Sequence, residues 1–294
     1  MIKAIVLDVD GVIKGSKKGV NFPMPHPDVL AAMKKINGGG IPIILCTGNY
    51  YYSIINIIKQ AELRSPHVTD RSALIVDTFK DIFLEKHIID PKVAQVVLET
   101  TWPLESYIEV FSDKNYFIQK SKVSELTKLR QTILQKDPII VESFNDIPAN
   151  NLIKVSVFTN KPTEKKVVDE VLEKNKDIIS FAWGHNPAMA NFELLDITTK
   201  GISKLHGVKL VLDKLGINFD SVLGVGDSLS DWDFMSSCKY VTAMGNAKDE
   251  FKELVKTKGE GNYFIAPSVD ENGLLDAFKH FGLLSKSQGS EPQI

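Results

Sequence analysis

Three short apolar segments constrain the fold of this chain most, because they are continuous rather than alternating. They read AIVL, IPIILC and SVLGVG, at positions 4–7, 41–46 and 221–226. Strands buried on both faces of a parallel sheet have this pattern. Each segment is followed by polar residues, and ligands of open α/β sheets bind at the carboxyl ends of the strands. The chain therefore predicts a buried parallel sheet with a polar, ligand-binding edge.

Helical spacing between these segments predicts β-α-β units. Residues 28–36 have it, and the glycines of Asn37-Gly38-Gly39-Gly40 can close that helix by adopting the left-handed conformation. The same alternation returns late in the chain. We predict helices at 202–215, 229–237 and 248–256, and strands at 221–226, 240–245 and 262–267. The predicted fold class is α/β, with a doubly wound, mostly parallel, Rossmann-like sheet.

The middle of the chain predicts an inserted domain of another kind. Strand patterns at 107–113, 115–121, 152–160 and 177–183 are interleaved with helical patterns at 91–101, 122–135 and 163–175. The two adjacent strands at Asp113-Lys114-Asn115 predict a hairpin, and hence an antiparallel α+β insertion. We predict a core at 1–83 and 189–286, an inserted α+β cap at 84–188 and a disordered tail at 287–294.

Composition excludes several classes of protein. The chain has 294 residues, 43% of them hydrophobic and 24% charged, with 35 basic and 37 acidic residues and a net charge of −2. This balance predicts no nucleic-acid or membrane surface. The two cysteines, Cys46 and Cys238, match neither a zinc site nor a disulfide framework. We expect a cytoplasmic protein without a targeting segment, whose oligomeric state the sequence does not indicate.

Asp8 and Asp10 are the first candidate site residues. They lie two apart after the first strand, so their side chains point the same way, and Gly11 lets the chain turn just beyond them. Burying a carboxylate is unfavourable unless it is paired or binds a metal. Taken alone, two solvated aspartates at an exposed strand end are an equally good interpretation.

The second and third strands carry further candidates at their ends. Thr47, Gly48 and Asn49 offer a hydroxyl, a backbone amide and a carboxamide that can hold a phosphate, although Thr47 or Asn49 as a plain helix N-cap is the common alternative. Asp227 and Asp231 follow the third strand, four residues apart across a strand-to-helix turn. Several carboxylates at one sheet edge repel one another unless a hard cation neutralises them, and oxygen ligands favour Mg²⁺.

Taken in order, DVDGV, LCTGN, a lysine before Leu215-Gly216-Ile217, and GDSLSDWDFM resemble the four motifs of the haloacid dehalogenase superfamily. The resemblance covers nearly the whole chain and is greatest to the Cof-type and archaeal phosphoglycolate-phosphatase-like members. Their cap lies between the second and third motifs. TAMGNA at 242–247 and SVDENGLLDAF near the end agree with it.

The resemblance implies a role for each acid. Asp8 is the nucleophile that forms an aspartyl phosphate, and Asp10 protonates the leaving oxygen and then activates water. The Asp8 carboxylate, the backbone carbonyl of Asp10 and Asp227 would bind Mg²⁺, with Asp231 either a ligand or the group that orients Lys204. The presence of Asp10 favours phosphate esters over dehalogenation, because a halide leaving group needs no proton.

The same resemblance assigns phosphate binding to Thr47, Gly48 and Lys204, with Asn49 nearby and Asn246 a weaker candidate. Lys204 is selected among several lysines only by its distance from Leu215-Gly216-Ile217, since a solvated surface lysine is the common alternative.

The chain departs from the family pattern at three places. Val12 replaces a threonine, Leu205-His206 replace a glycine and a small residue, and Asp70-Arg71-Ser72 replace the Asn-Gly turn that leads into the cap. Substrate contacts near that turn are therefore not carried over. His185 lies where the cap returns to the core, and a hinge role is favoured there over substrate contact.

The predicted function is a magnesium-dependent phosphomonoesterase acting on a small phosphorylated metabolite, such as a sugar phosphate or a phosphoglycolate-like compound. A phosphomutase with the same chemistry is the second hypothesis, and a non-catalytic phosphometabolite-binding protein is the third. Fold alone does not select the substrate.

Overall fold

A computed structural model describes residues 1–184, 187–189 and 191–285. The chain forms two compact units, each built from separate stretches of sequence. The first contains Met1–Ile43, Lys59–Leu63 and the described residues from Ile217 onward, and the second contains Ile44–Ile58 and Arg64–Gly216.

Strands and helices alternate along the chain. The strands in the described residues are β1 (Ala4–Leu7), β2 (Ile43–Leu45), β3 (His67–Thr69), β4 (Leu74–Asp77), β5 (Ile82–Lys86), β6 (Tyr107–Ser112), β7 (Tyr116–Gln119), β8 (Ile139–Val141), β9 (Leu152–Thr159), β10 (Ile179–Gly184), β11 (Glu193–Thr199), β12 (Val222–Gly226), β13 (Tyr240–Ala243) and β14 (Tyr263–Ile265). The α-helices there are α1 (Pro27–Gly38), α2 (Tyr52–Gln60), α3 (Pro91–Thr101), α4 (Glu125–Leu134), α5 (Pro162–Lys174), α6 (Lys204–Leu215), α7 (Leu229–Met235), α8 (Asp249–Lys256) and α9 (Gly273–His280).

The first unit is built on a parallel sheet. Its strands lie in the order β14-β13-β12-β1, and β1 pairs with β12 from Ala4↔Val222 to Leu7↔Val225. The start of β2 adjoins β1, where the Ile5 amide donates to the Pro42 carbonyl at 3.0 Å. Every residue of β1 and β12 is buried, as the continuous apolar pattern predicts for central parallel strands. The predicted doubly wound α/β fold is confirmed.

Helix α1 shows how local sequence sets an element's ends. Pro27 is its first residue, where a missing N–H is harmless, and the His26 side chain accepts a hydrogen bond from the Asp28 amide. The helix ends at Gly38, as predicted, but Gly39 has a φ of −77° and is not left-handed. The left-handed residue is Gly40, with a φ of +91°, one position later than a simple glycine cap requires.

The second unit contains a six-stranded sheet in the order β10-β11-β9-β6-β7-β8. Its pairs are antiparallel except β7 with β8, and the predicted hairpin joins β6 and β7. Helices α3 and α5 pack on this sheet through a shared apolar core that includes Leu98, Val155 and Leu172. Since β11 pairs with β9 and β10, the sheet extends to Thr199. The predicted cap boundaries at 84 and 188 stay a prediction.

A second, three-stranded antiparallel sheet, β3-β4-β5, also lies in this unit and was not predicted. Its strands are three to five residues long, and β5 is largely half-buried or exposed, so no hydrophobic period marks it. Between β3 and β4, Asp70, Arg71 and Ser72 all have positive φ values, from 51° to 76°. Three successive non-glycine residues in this region form a strained turn.

Most predicted elements are confirmed within one to three residues at each end, which is the usual uncertainty of helix and strand ends. Helix α2, strands β8 and β11 and helix α9 were not predicted. His185 and the predicted tail at 287–294 lie outside the described residues. No α-helix in the described part of the chain combines the length and apolar character needed to cross a bilayer.

Candidate active site

Three carboxylates meet at one place in the first unit. Asp8 follows β1, Asp227 follows β12, and Asp231 lies in the first turn of α7, so parallel pairing of the two strands brings the acids together at the carboxyl end of the sheet. Each offers a carboxylate oxygen, and the three oxygens lie within 4.8 Å of one another. Asp8 and Asp231 are buried and Asp227 is half-buried. The structure therefore brings three of the four predicted acids into one cluster.

Two glycines make this close approach possible. A Cβ atom on Gly11 would lie 1.9 Å from Asp227 Oδ2, and the φ of Gly11 is +85°, a conformation that favours glycine. A Cβ atom on Gly226 would lie 2.5 Å from Cβ of Asp231. Any larger residue at either position would displace an aspartate of the cluster.

Asn246 holds Asp227 in place. Its side-chain Nδ2 donates to Asp227 Oδ2 and to the Gly11 carbonyl, both at 3.0 Å, and its Oδ1 accepts from the Val269 amide at 2.9 Å. Asn246 therefore joins the two strand ends that carry the acids. Its predicted role in phosphate binding stays a prediction, and its observed contacts make it a positioning residue.

Asp231 also has a structural role. Its Oδ2 accepts from the backbone amides of Asp227 and Ser228 at 3.0 and 3.1 Å, which closes a capping box at the start of α7. An anionic side chain in the first turn of a helix is stabilised by the helix dipole. Asp231 is thus fixed by the backbone of the turn that carries Asp227. The pattern Ser228-x-x-Asp231 could have revealed this cap in the sequence.

Asp10 has a cation beside it. Lys14 Nζ lies 3.5 Å from Asp10 Oδ1, and the lysine side chain is 2% exposed whereas that of Asp10 is 18% exposed. The turn that joins them is closed by the Gly11 amide, which donates to the Lys14 carbonyl at 2.7 Å. Sequence reasoning missed Lys14, although its i,i+4 spacing from Asp10 was a usable signal.

The donor set of the carboxylate cluster fits a hard divalent cation. Mg²⁺ binds oxygen atoms at about 2.0–2.1 Å in an octahedron, so ligand oxygens lie about 3 Å apart when adjacent and about 4 Å apart when opposite. The three oxygens lie within 4.8 Å of one another, so side-chain movements of about 1 Å would bring them to these distances. Three carboxylates this close repel one another, and a bound cation would remove that repulsion.

The second unit carries the Thr47-Gly48-Asn49 loop directly after β2. Thr47 is buried, its Oγ1 accepts from the Asn49 amide at 3.0 Å, and its backbone is hydrogen-bonded to Val68 and Arg71. Helix α2 begins only at Tyr52, so the helix N-cap interpretation of Thr47 and Asn49 is wrong. The loop is held instead by its neighbours in β3 and the turn that follows.

A buried ion pair supports the same loop. Lys154 Nζ lies 2.8 Å from Asp70 Oδ1 and donates to the Gly48 carbonyl at 2.6 Å. Burial raises the pKa of Asp70 to about 6, although the Lys154 ammonium acts in the opposite direction. Both side chains are essentially inaccessible to water. Asp70, the first residue of the turn at 70–72, therefore supports the Thr47-Gly48-Asn49 loop through Lys154.

Helix α6 begins at Lys204, which is buried. The side chain of Ser203 caps the helix, and Ser72 Oγ donates to the Ser203 carbonyl and accepts from the Gly207 amide. A Cβ atom on Gly207 would lie 2.5 Å from Ser72 Oγ, so glycine is needed where the helix meets this turn. The turn that replaces Asn-Gly therefore fixes the start of the helix that carries Lys204. No spacing rule in the sequence could have shown this contact.

A doubly wound α/β sheet with a carboxylate cluster at the carboxyl end of its strands is typical of enzymes. A family model for haloacid dehalogenase-like hydrolases matches residues 5–278. The chain belongs to this family. This confirms the resemblance to the haloacid dehalogenase superfamily and the predicted enzyme class, a phosphatase of that superfamily.

Two related proteins match nearly the whole chain. The stress response protein YhaX of Bacillus subtilis is 26% identical over 297 residues, covering 97% of this chain and 95% of that protein. The phosphoglycolate phosphatase of Staphylothermus marinus is 23% identical over 281 residues, covering 92% of this chain and 98% of that enzyme.

Solved structures show the same fold. A haloacid dehalogenase-like hydrolase from Bacteroides thetaiotaomicron has a TM-score of 0.79 at 18% identity, covering 95% of this chain and 99% of that chain. A sugar phosphatase of subclass IIB in the same superfamily has a TM-score of 0.76 at 20% identity, covering 96% of this chain and 100% of that chain. At this identity the likeness establishes the fold alone.

Proposed function

We propose that this protein is a phosphomonoesterase that hydrolyses a small phosphorylated metabolite through an aspartyl-phosphate intermediate. The observation that carries the proposal is the convergence of Asp8, Asp227 and Asp231 at the end of β1 and β12. Family membership and the names of the relatives support phosphate esters as substrates, with sugar phosphates and phosphoglycolate-like compounds the leading classes.

Asp8 is proposed as the nucleophile. Its place at the end of a fully buried strand fixes the backbone, and its amide donates to the Val225 carbonyl of β12 at 3.0 Å. A carboxylate held in this way reaches the reacting phosphorus without reorganisation of the backbone. Attack by Asp8 on phosphorus forms the O–P bond as the ester O–P bond breaks.

Asp10 is proposed as the general acid and base. It protonates the leaving alkoxide in the first step and takes a proton from the attacking water in the second. Asp10 is more exposed than Asp8, and the Lys14 ammonium beside it offers a fixed positive neighbour. Two carboxylates in different surroundings can take different catalytic roles.

Asp8, Asp227 and the backbone carbonyl of Asp10 would hold a Mg²⁺ ion, with Asp231 either a further ligand or a positioning residue. When bound, Mg²⁺ reduces the repulsion between the carboxylate nucleophile and the anionic phosphate. Asn246 keeps Asp227 at the cluster through its 3.0 Å hydrogen bond. The tight fit of Gly11 against Asp227 further restricts that side chain.

Thr47, Gly48 and Lys204 are proposed to bind the phosphate oxygens, with Asn49 beside them. The Thr47 hydroxyl and the loop amides are donors of the kind that hold phosphate, and Lys204 supplies positive charge. The support for these residues is their match to the family motifs and the rigid backbone that Lys154 and Ser72 give to the two segments.

The decisive test is the variant Asp8→Asn, assayed against a panel of phosphorylated metabolites and an aryl phosphate, with Mg²⁺ and with a chelator. We expect a loss of at least about 10⁴-fold in turnover, as for other enzymes that lose their nucleophile. The circular dichroism spectrum should remain that of the wild type, and the unfolding midpoint should not fall, because the substitution removes one of three mutually repelling charges.

Two outcomes would contradict the proposal: turnover by Asp8→Asn equal to that of the wild type, or wild-type turnover unaffected by chelator. A trapped phosphoenzyme that hydrolyses slowly and passes its phosphoryl group back to substrate would instead indicate the phosphomutase hypothesis. Asp28→Asn serves as a matched control, because Asp28 lies on α1 with its side chain 72% exposed.

A further inference from the structure

A second cluster of metal-ligating side chains lies in the second unit. Glu85 of β5, His87 just after that strand and His206 of α6 each offer a ligand atom, and these atoms lie within 4.8 Å of one another. Nε2 of His87 lies 2.8 Å from Glu85 Oε2, and Nε2 of His206 lies 3.3 Å from the same oxygen. Both imidazoles therefore direct the same ring nitrogen to one carboxylate.

These separations suit a tetrahedral transition-metal ion. Zn²⁺ binds imidazole nitrogen at about 2.0–2.1 Å and carboxylate oxygen at about 2.0–2.2 Å, so neighbouring ligand atoms lie about 3.3–3.5 Å apart. The His206–Glu85 separation of 3.3 Å lies in this range, whereas the His87–Glu85 separation of 2.8 Å is that of a hydrogen bond and would lengthen when an ion binds. Three protein ligands would leave a fourth position for water, as in open zinc sites.

The backbone already holds these side chains in place. The His87 amide donates to the Ala73 carbonyl at 2.9 Å. The neighbouring residue Lys86, the last of β5, pairs with Leu74 of β4. His206 lies in the first turn of α6, with its amide directed at the Ser203 side chain at 3.4 Å. The rings of His87 and His206 pack edge to face, with centroids 5.3 Å apart. A preformed cluster of this kind lowers the entropy lost on binding.

The donor set separates this cluster from the carboxylate cluster of the first unit. Two imidazoles and one carboxylate favour Zn²⁺, Co²⁺ and related ions, whereas an all-oxygen set favours Mg²⁺. His206 also belongs to the Leu205-His206 pair that departs from the family pattern, and the proposed phosphatase chemistry gives it no role. All three side chains are between 28% and 39% exposed, so an ion can reach them from solvent.

We propose that Glu85, His87 and His206 form a binding site for a divalent transition-metal ion of the zinc class. An ion bound there would link the end of β5 to the first turn of α6. It does not depend on the proposed hydrolytic activity.

The test uses the full chain, stripped of metals and then held in excess Mg²⁺. Co²⁺ is the probe, because tetrahedral Co²⁺ absorbs strongly in the visible range and Zn²⁺ displaces it. We expect one equivalent of Co²⁺ to bind with a tetrahedral spectrum. The variants His206→Ala and Glu85→Gln should each weaken binding at least about tenfold, since even outer-shell changes at metal sites have effects of that size.

Two further variants locate the ion. His26→Asn removes a histidine that lies 3.6 Å from Asp28 in the first unit, and it should bind Co²⁺ as the wild type does. Asp227→Asn should also retain the spectrum. The proposal is overturned if the wild type shows no saturable tetrahedral spectrum, if His206→Ala and Glu85→Gln both bind as the wild type does, or if Asp227→Asn abolishes binding. Circular dichroism confirms that each variant is folded.

Discussion

The two units use buried charge in opposite ways. In the first unit Asp8, Asp227 and Asp231 bring three like charges within 4.8 Å. In the second unit Glu109 on β6 meets Arg130 on α4, with three N–H···O contacts of 2.7 to 3.0 Å and both side chains at most 1% exposed. Burial alone would lower the pKa of Arg130, but the Glu109 carboxylate more than offsets this and raises it.

The difference separates the proposed binding site from an internal support. Two opposite charges in contact neutralise each other. The pair then stabilises the one packing arrangement in which the two side chains meet. A cluster of like charges is unfavourable for folding unless other groups neutralise it, and a bound cation is one such group. Substitutions in the first unit should therefore affect chemistry, whereas those at the Glu109–Arg130 pair should affect stability.

The largest effect is expected for Asp10→Asn in the first unit. Loss of the general acid should lower turnover of an alkyl phosphate by about 10²- to 10⁴-fold, and of an aryl phosphate by less, because an aryl oxide leaves without full protonation. The circular dichroism spectrum should remain that of the wild type, because the Asp10 side chain is 18% exposed and its Oδ1 lies 3.5 Å from Lys14 Nζ. Steady-state kinetics with both substrates measures the two losses in turnover. Equal losses on the alkyl and the aryl phosphate would show that Asp10 is not the general acid.

Glu109→Gln tests the other side of the comparison. It leaves a guanidinium buried without its carboxylate and should lower the free energy of unfolding by about 3–5 kcal/mol, with turnover per folded molecule unchanged. Urea unfolding measures the loss. Glu125→Gln is the matched control, because its pair with Lys128 is exposed and contributes at most about 1 kcal/mol. Equal midpoints for the two variants would contradict the distinction.

The Asp70–Lys154 pair should make the free energy of unfolding depend on pH, by at most about 3 kcal/mol. Burial raises the pKa of Asp70 from 3.8 to about 6, so between these values the folded protein binds more protons than the unfolded chain. The contribution of Asp70 to stability is therefore present below about pH 4 and is lost as pH rises through 6. The wild type should gain stability relative to Asp70→Asn on acidification over this range. A difference independent of pH would show that Asp70 ionises normally in the fold.

The smallest effect concerns the turn at 70–72. Ser72→Ala removes a hydroxyl that bonds the Ser203 carbonyl and the Gly207 amide, and should lower stability by about 1–3 kcal/mol. Ser72→Gly loses the same bonds but relieves a φ of +76°, so it should be the milder of the two. Thermal unfolding compares them. An alanine variant more stable than the glycine variant would mean that the turn rearranges.

The sequence predicted those parts of the fold that rest on local patterns. The continuous run AIVL became the buried strand β1, and Pro91–Thr101 became a helix with the predicted ends. The acids Asp8, Asp227 and Asp231 were predicted to lie together because strand ends in a parallel sheet share an edge. Their roles in catalysis and metal binding stay predictions.

Contacts between distant segments could not be predicted. Ser72 and Gly207 are 135 residues apart, and no local pattern relates a serine in a strained turn to a glycine in a helix. The three-stranded sheet was missed because its strands are too short for a period to be visible. Asp231 was considered only as a ligand or an orienting group, although a capping box could have been recognised from Ser228 and Asp231.

Gly11 has a consequence for how this protein can evolve. A Cβ atom at Gly11 would overlap Asp227, and the φ of +85° disfavours any other residue, so a change of the aspartate removes only the first of two obstacles to substitution of the glycine. Descendants that lose catalysis should therefore lose the two residues in a fixed order, with Asp227 first. A homologue that retains the glycine but has lost the aspartate would mark the intermediate stage of that path, whereas the reverse combination should be rare.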